Sequence, residues 1–315
     1  MGVHHHHGLG QSGADARTTR VLIVSLILTV LFVVFEAVAG FRAHSLALLS
    51  DAGHNFTDAF ALLLAALGIY WQSRPGDHEK TYGYQRAGVL AAFVNALSLV
   101  ILAMALFYES YDRLVHTQAV DISVMMVVAG IAMVLNLGIA WALSGHGRHE
   151  HDLNIRAAWL HMAGDAASSA AIIIGALAIR YTGWQAIDPI LSVVIGIAIV
   201  WSGWGIMRDS LNILLEALPK GMRLSEVTGE LARVAGVIDV HDLHIWNLGS
   251  ESRALSCHVL IDDMPPSESE SILRRINQLL CDRFAIRHAT IQFEHVKCAL
   301  AETHCTALHA HVDHE

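Results

Sequence analysis

Six long apolar runs, separated by short polar segments, occupy the first two thirds of the chain. Each run is close to the roughly 20 residues that an α-helix needs to cross the hydrocarbon core of a bilayer. The pattern therefore predicts six transmembrane helices, which make up an all-α membrane domain at 17–207. The predicted spans cover approximately residues 19–40, 46–72, 87–111, 119–144, 155–180 and 187–207.

The hydrophobic pattern changes after residue 207. Two segments carry apolar residues at helical spacing, and three segments have the character of strands, with Gly249-Ser250 between the first two of them. The order is αββαβ, so we expect a small α+β domain at 208–297. The predicted elements are a helix at Leu224–Val237, strands at Val240–Leu248 and Arg253–Ile261, a helix at Ser267–Phe284 and a strand at His288–His295.

Composition and charge support a membrane protein with its termini in the cytoplasm. Of the 315 residues, 54% are hydrophobic and 16% are charged, which is too apolar for a soluble chain of this length. The formal net charge of −9, without a large basic tract, argues against binding to nucleic acid. Lys and Arg are more numerous around the spans on the side of the termini, which predicts that both termini and the α+β domain are cytoplasmic.

Many of the 21 histidines lie outside the predicted spans. Residues 1–16 are predicted to be a disordered arm, in which the run His4–His7 is either a native metal-collecting segment or a shortened purification tag. The His-rich loop 144–152 is either a solvated turn or a loop that gathers metal ions. The tail 298–315 is rich in Cys and His.

A polar island at Ser50–Asp58 interrupts the second apolar run. His54 and Asp58 are four residues apart, so in a helix their side chains lie on one face, one turn apart. His161 and Asp165 repeat this spacing in the fifth run. Ionisable groups at membrane depth cost about 2.5–3.5 kcal/mol each on insertion scales and usually serve a function. Two nitrogens and two carboxylates suit a tetrahedral divalent ion, with zinc the first choice.

Other polar residues in the spans have structural alternatives. A single membrane histidine often only hydrogen-bonds a neighbouring helix, but two histidines that each precede an acid by one turn are harder to explain in that way. Glu36 is the one acid of the first run. Asp51 lies near the same face as His54 and is either a helper or gate, or a packing residue. Asp188 either lines an exit path or caps its helix.

Histidines on the predicted strands offer a second set of ligands. His241 and His244 differ by an odd number of positions, so they point to opposite faces of a regular strand, and one ion binds both only across a bulge. His258 falls on the solvent-side phase of its strand, where it is either a ligand or simply solvated.

The four cysteines all lie in the polar C-terminal part, and in the cytosol they are expected to be reduced. Cys298 and Cys305, with the adjacent His304, lack the close Cys-x-x-Cys spacing of a structural zinc site. The others are Cys257 and Cys281.

Four motifs together resemble those of a known family: His44–Asp58, His161–Asp165, Val240–Trp246 and Thr290–Glu294. With them, the chain resembles the cation diffusion facilitator family of metal/proton antiporters, and in particular its zinc-transporting branch, from about residue 17 to residue 297. The resemblance implies six helices, a cytoplasmic ferredoxin-like domain, a homodimer, and alternating access around an intramembrane metal site.

The resemblance also implies roles for individual residues. The transport site is matched by His54, Asp58, His161 and Asp165. The cytosolic metal site is matched by His241, His258 and Glu294, with Cys298 and Cys305 as further ligands, and the auxiliary candidates are Asp51, His288 and His304. A charge interlock between the membrane and soluble parts is matched by Arg86 and Glu216.

We therefore expect a secondary transporter, and not an enzyme, that exports Zn²⁺ from the cytoplasm in exchange for protons. It is expected to lie among the lipids of a bacterial inner membrane, and its soluble domain is expected to sense cytosolic zinc. The alternatives are a broad efflux of cobalt, cadmium or nickel, and a membrane-anchored metal sensor. An intramembrane metallohydrolase would need a motif such as His-Glu-x-x-His, which no span contains.

Overall fold

The apolar runs form long helices, and the C-terminal part forms a small sheet with two helices. This computed structural model describes residues 29–144, 153–250 and 252–296, in which the first helix, α1, covers 29–42. The other elements are α2 (Leu46–Gln72), α3 (Ala87–Val115), α4 (Ile122–Ser144), α5 (Leu153–Thr182), α6 (Ile187–Leu214), α7 (Leu224–Ala232), β1 (Val237–Asn247), β2 (Arg253–Ile261), α8 (Pro266–Phe284) and β3 (Ile286–Glu294).

Five of the described helices, α2 to α6, are long and apolar enough to cross a membrane. Many of their large apolar side chains face outward, and Tyr181 and Trp201 are each 84% exposed. Such an apolar surface is suited to lipid rather than to water. The chain is therefore an integral, multi-pass membrane protein. The first predicted span, 19–40, is described only from residue 29, where it forms α1.

Two helices, α3 and α6, run four or more residues beyond their predicted spans. Helix α3 continues to Val115 instead of 111, and Arg113 near its end pairs with Glu109 and donates a hydrogen bond to the carbonyl oxygen of His44. Helix α6 continues to Leu214 instead of 207. Both extensions contain charged residues, which end an apolar run in the sequence but do not interrupt the hydrogen bonds of a helix.

The chain divides into two units, one from residues 1–63 and 95–205 and the other from 64–94 and 206–315. The second unit thus includes a segment, 64–94, that the predicted domain boundary at 207 assigns to the membrane domain. In the first unit, Leu48, Met125 and Ile172 are buried together where α2, α4 and α5 pack. Gly175 on α5 allows α6 to approach closely, because a Cβ at that position would lie 2.1 Å from Cδ1 of Leu191.

Asp188, at the start of α6, is fully buried and caps the start of α2. Its Oδ1 accepts hydrogen bonds from Oγ of Ser45 (2.6 Å) and from the N–H of Ala47 (3.2 Å), and its Oδ2 accepts one from the N–H of Leu46 (2.6 Å). The first N–H groups of a helix have no partner within that helix, so an acceptor at this position is stabilising. The sequence predicts that Asp188 either lines an exit path or caps its own helix, α6. In the structure it caps α2.

The second unit contains a three-stranded sheet in the order β1-β2-β3. Strands β1 and β2 are antiparallel, whereas β2 and β3 are parallel and are connected through α8. The αββαβ order is as predicted. The predicted first helix is too long, because α7 ends at Ala232 and Gly236, with a φ of +99°, leads into β1. A Cβ on Gly236 would also lie 2.6 Å from Cδ1 of Ile272, so the residue serves both the turn and the packing.

The sheet and its two helices enclose an apolar core that includes Leu231, Leu255 and Ile276, together with the thiol of Cys257. Burial raises the pKa of Cys257 from 9.0 to about 12. Because the pKa is raised in the folded state, the neutral thiol stabilises the fold below about pH 9, and this contribution is lost as the pH rises from about 9 to about 12.

This burial predicts a large difference in thiol reactivity. Since the thiolate is the reacting form, a pKa of about 12 is expected to slow alkylation of Cys257 by iodoacetamide at pH 8 roughly 1000-fold relative to an ordinary thiol. Cys281 is exposed and serves as the internal control. Peptide mass spectrometry after brief labelling measures both rates, and equal labelling in the folded protein would contradict the buried position of Cys257.

Candidate metal sites

Two histidine–aspartate pairs on α2 and α5 come together in the first unit. Nε2 of His54 lies 3.6 Å from a carboxylate oxygen of Asp58 and 3.6 Å from one of Asp165. Nε2 of His161 lies 3.3 Å from Asp58 and 3.7 Å from Asp165. Each histidine therefore contacts the acid of its own helix and the acid of the other helix. The cross-contacts require α2 and α5 to run antiparallel at this point.

The spacing of these atoms matches a shell around one small cation. Ligands at about 2.0 Å from a tetrahedral zinc ion stand about 3.3 Å from one another, and the four contacts between nitrogen and oxygen span 3.3 to 3.7 Å. The ligand atoms of Asp58, His161 and Asp165 all lie within 4.8 Å of one another. His54 joins them through its two carboxylate contacts, with its ring centroid 6.2 Å from that of His161.

The four side chains differ in exposure. His161 and Asp58 are 44% and 33% exposed, whereas His54 and Asp165 are 21% and 8% exposed. Because the helices are antiparallel, the two more exposed residues lie at the same end of the site. The site is thus open at the end with Asp58 and His161, and it is covered at the end with His54 and Asp165.

Asp51 lies outside this set of ligands. It accepts a hydrogen bond from Oγ of Ser168 on α5 (2.7 Å), and its carboxyl group lies within hydrogen-bonding reach of that of Glu36 on α1. The sequence offered Asp51 as a helper, gate or packing residue but assigned no role to Glu36 or Ser168. The feature of the sequence that could have indicated a role for Glu36 is its position as the one acid in an apolar span.

A second cluster lies on the sheet of the second unit. The pairing of β1 and β2 places His241 opposite His258, and Glu294 lies two positions beyond the partner of His258 on β3. Nε2 of His241 is 3.1 Å from Oε2 of Glu294, and Nδ1 of His258 is 3.0 Å from its Oε1. One ligand atom from each of the three residues lies within 4.8 Å of the others. Two imidazoles and a carboxylate are a suitable ligand set for zinc, which leaves a fourth position for another ligand.

His244 does not join this cluster although β1 does contain a bulge. The pairing of β1 with β2 shifts register between His241 and His244, where Asp242 has a left-handed φ of 50°. Nε2 of His244 lies 3.1 Å from Oδ1 of Asp242. The irregularity therefore places Asp242 between His244 and His258, with its Oδ2 3.8 Å from Nε2 of His258, and leaves His241 as the histidine of β1 that is paired with His258.

Comparison with known proteins identifies the family. Residues 22–215 match the family described as the cation efflux transmembrane domain, and residues 219–296 match the one described as the cation efflux protein, cytoplasmic domain. The chain belongs to the cation efflux family.

Relatives within the cation efflux family match nearly the whole chain. The "Cadmium, cobalt and zinc/H(+)-K(+) antiporter" of Bacillus subtilis is 36% identical over 91% of this chain and 92% of its own length. "Zinc transporter ZitB" of Escherichia coli is 36% identical over 96% of this chain and 95% of its own length. The metal-bound C-terminal domain of the CzcD transporter from Cupriavidus metallidurans, a solved structure, is 42% identical over 23% of this chain and 99% of its own, with a TM-score of 0.22.

The other predicted residues of this cation efflux protein that the structure describes, Arg86, Glu216 and His288, lie in the second unit. Arg86 and Glu216, the predicted interlock, meet at 2.7 Å within the second unit, and both are partly exposed. The ring of His288 packs edge-on against Tyr82, with centroids 5.1 Å apart, near the opposite end of β3 from Glu294. The segments that hold His4–His7, Cys298, His304 and Cys305 lie outside the described residues.

Proposed function

We propose that this chain exports Zn²⁺ from the cytoplasm in exchange for protons, by alternating access at the site formed by His54, Asp58, His161 and Asp165. The observation that carries the proposal is the meeting of two His-x-x-x-Asp pairs across α2 and α5, with four nitrogen–oxygen contacts between 3.3 and 3.7 Å. A structural role for these residues would not require two acids and two histidines to converge at membrane depth. The names of the Bacillus and Escherichia relatives, an antiporter and a zinc transporter, agree with this function.

The ligand set favours zinc over harder cations. Imidazole nitrogen and carboxylate oxygen suit zinc in tetrahedral geometry, whereas magnesium and calcium take mainly oxygen ligands. Cobalt and cadmium accept similar ligands, and first-row metals overlap in preference. A broader efflux of divalent metals is therefore the second candidate, and the name of the Bacillus relative, which includes cadmium and cobalt, favours it.

Proton exchange follows from the chemistry of the ligands. A histidine nitrogen must be free of its proton to hold zinc, so protons and metal compete for the same atoms. Without metal, Nε2 of each imidazole lies beside two carboxylates, an arrangement that suits a protonated ring. Imidazoles titrate near neutral pH, so an inward proton gradient is able to displace the ion. His54 and His161 exchange protons for Zn²⁺, and Asp58 and Asp165 supply negative charge.

The exposures of the four ligands indicate which side of the membrane the site faces. The Lys and Arg distribution orients α2 toward the cytoplasm at its C-terminal end and α5 toward the cytoplasm at its N-terminal end. Asp58 and His161, the more exposed ligands at 33% and 44%, then lie on the cytoplasmic side. We infer that the open end of the site faces the cytoplasm, which is the side from which an exporter takes up its substrate.

The cytosolic cluster is the proposed regulatory site. His241, His258 and Glu294 fit zinc, because one ligand atom from each residue lies within 4.8 Å of the others and imidazole and carboxylate are zinc ligands. A zinc ion bound there would supply a cross-link between the three strands. We propose that this site senses cytosolic zinc and that the chain works as a homodimer, to which the soluble domain contributes.

Transport is tested by reconstituting the full chain into proteoliposomes that contain a zinc-sensitive dye. With an imposed pH gradient across the membrane, we expect zinc flux that collapses when the gradient is dissipated. Competition by cadmium and cobalt ranks the metals and separates zinc export from broad efflux. Zinc binding without flux under any gradient would favour the membrane-anchored sensor and would reject the proposal.

The cytosolic site gives a separate prediction. Replacing Glu294 by Gln keeps the shape of the side chain but removes its charge, so we expect the full chain to bind one zinc ion fewer, as measured by metal analysis after equilibration at low free zinc. His288→Ala is the matched control, since His288 lies on the same strand but packs against Tyr82. Equal zinc content in all three proteins would contradict the assignment.

A further inference from the structure

Two buried carboxyl groups from different helices meet on the covered side of the metal site. Glu36 on α1 is 0% exposed and Asp51 on α2 is 1% exposed. Asn55, which lies one turn beyond Asp51, donates a hydrogen bond to Glu36, and the two carboxyl groups lie within hydrogen-bonding reach of each other. Asp51 precedes His54 by three residues, so it lies about one turn away from the ligands, toward the start of α2. The pair is therefore a neighbour of the metal site and is not part of its ligand set.

The hydrogen-bond partners of the two acids are neutral. Nδ2 of Asn55 donates to Oε2 of Glu36 at 3.3 Å, and Oγ of Ser168 donates to Oδ1 of Asp51 at 2.7 Å. The other oxygens, Oε1 of Glu36 and Oδ2 of Asp51, accept no hydrogen bond from a donor in the described part of the chain. Among the groups that face the pair, His54 on α2 attracts Asp51, whereas Asp165 on α5 repels both acids.

Two buried carboxylates in contact, without water between them, repel each other too strongly for both to stay ionised. One proton held between them removes this repulsion. A metal ion is a poorer occupant, because hard cations take six or more oxygen ligands and only two oxygens of the pair are free. From this geometry we propose that Glu36 and Asp51 share one proton, and that this proton, held apart from the metal ligands, is a second site of proton coupling in the transport cycle. The inference rests on the proposed function.

The three helices that meet here explain how the proton is linked to transport. Glu36 belongs to α1, Asp51 to α2, and Ser168 lies on α5 about one turn beyond Asp165. Packing these helices on the covered side brings the two acids together, so closing that side requires a proton. Zinc bound at the ligands places positive charge one turn from Asp51, which favours loss of the shared proton to cytoplasmic water as hydronium. Both acids are then ionised, and their repulsion separates the helices on the covered side.

The test compares the wild-type chain with Glu36→Gln, in which an amide replaces the protonated acid and donates to Asp51 without a titratable proton. Calorimetric titration with zinc, in buffers of different ionisation enthalpy, counts the protons released. We expect Glu36→Gln to keep its zinc affinity within about threefold and to release one proton fewer for each zinc bound at the transport site. Glu109→Gln, which changes an acid of α3 outside the cluster, is expected to release as many protons as the wild type.

A second readout needs no variant. Infrared difference spectra of the wild-type chain on addition of zinc should lose the carbonyl band of a protonated carboxylic acid, and Asp51→Asn should shift or abolish that band. Equal proton release in the wild type and Glu36→Gln, or the absence of such a band from the wild-type spectrum, would overturn the proposal. A carbonyl band that responds to added sodium or potassium instead of to pH would overturn the proposal as well. Failure of the wild type to move zinc would reject the proposed function, while these two measurements would still decide whether the pair holds a proton.

Discussion

Replacement of Asp165 by Asn is expected to reduce zinc flux roughly 100-fold or more, which exceeds the loss usually caused by changes outside the ligand set. Asp165 is the most buried of the four proposed transport ligands, and its two oxygens lie 3.6 Å and 3.7 Å from the nitrogens of His54 and His161. The asparagine has nearly the same shape, but it has lost the negative charge and presents an N–H₂ group to one of the two histidines. Transport by the variant is measured in proteoliposomes, and zinc affinity is measured by calorimetry.

The control for this experiment is Asp112→Asn on α3. Asp112 also lies beside a histidine one turn away, with 3.1 Å between its Oδ1 and Nδ1 of His116, but both side chains are largely exposed. We expect this variant to transport zinc at the rate of the parent. If Asp165→Asn also kept its flux within about twofold of the parent, a change far smaller than ligand loss causes, the transport site would lie elsewhere.

The largest effect on stability is expected from Asp188→Ala. This change leaves the hydroxyl of Ser45 and the N–H groups of Leu46 and Ala47 without the acceptor that they contact at 2.6, 2.6 and 3.2 Å. Each buried donor without a partner costs about 1–3 kcal/mol, so the three donors together cost about 3–9 kcal/mol. A loss of this size lowers the melting temperature by roughly 10 °C or more in a protein of this length.

Thermal unfolding in detergent, followed by size-exclusion chromatography, measures this loss. Asp188→Asn keeps one acceptor oxygen and should fall between the parent and the alanine variant. Asp209→Ala is the control, because Asp209 pairs with Lys220 at the surface of α6 and such exposed pairs contribute at most about 1 kcal/mol. A melting temperature of Asp188→Ala equal to that of Asp209→Ala would mean that the cap does not hold α2 in place.

The sequence anticipated the candidate ligands more fully than the residues that support them. The spacing of His54 and Asp58, and of His161 and Asp165, places each pair on one helical face by local geometry alone. The resemblance to the cation diffusion facilitator family then pointed to these four residues and to His241, His258 and Glu294. It also offered His288 as an auxiliary ligand, but the packing of its ring on Tyr82 places it apart from the cluster on β1, β2 and β3.

Supporting residues depend on contacts between distant parts of the chain. Asp188 accepts hydrogen bonds from residues more than 140 positions away, so no local pattern indicates which helix it caps. Glu36 stands out in its span as an isolated acid, but only the packing of α1 against α2 places it beside Asn55 and Asp51.

The sequence by itself determined the membrane class, the approximate spans, the αββαβ order and the helical face of each His–Asp pair. These properties depend on the length and period of apolar runs, which are local. Only the tertiary structure decided that α2 and α5 meet antiparallel with His54 against Asp165 and Asp58 against His161, and that His241 faces His258 across the sheet. Which helices and strands face each other, and in what register, depends on the packing of the whole chain, and the period of one segment does not contain that information.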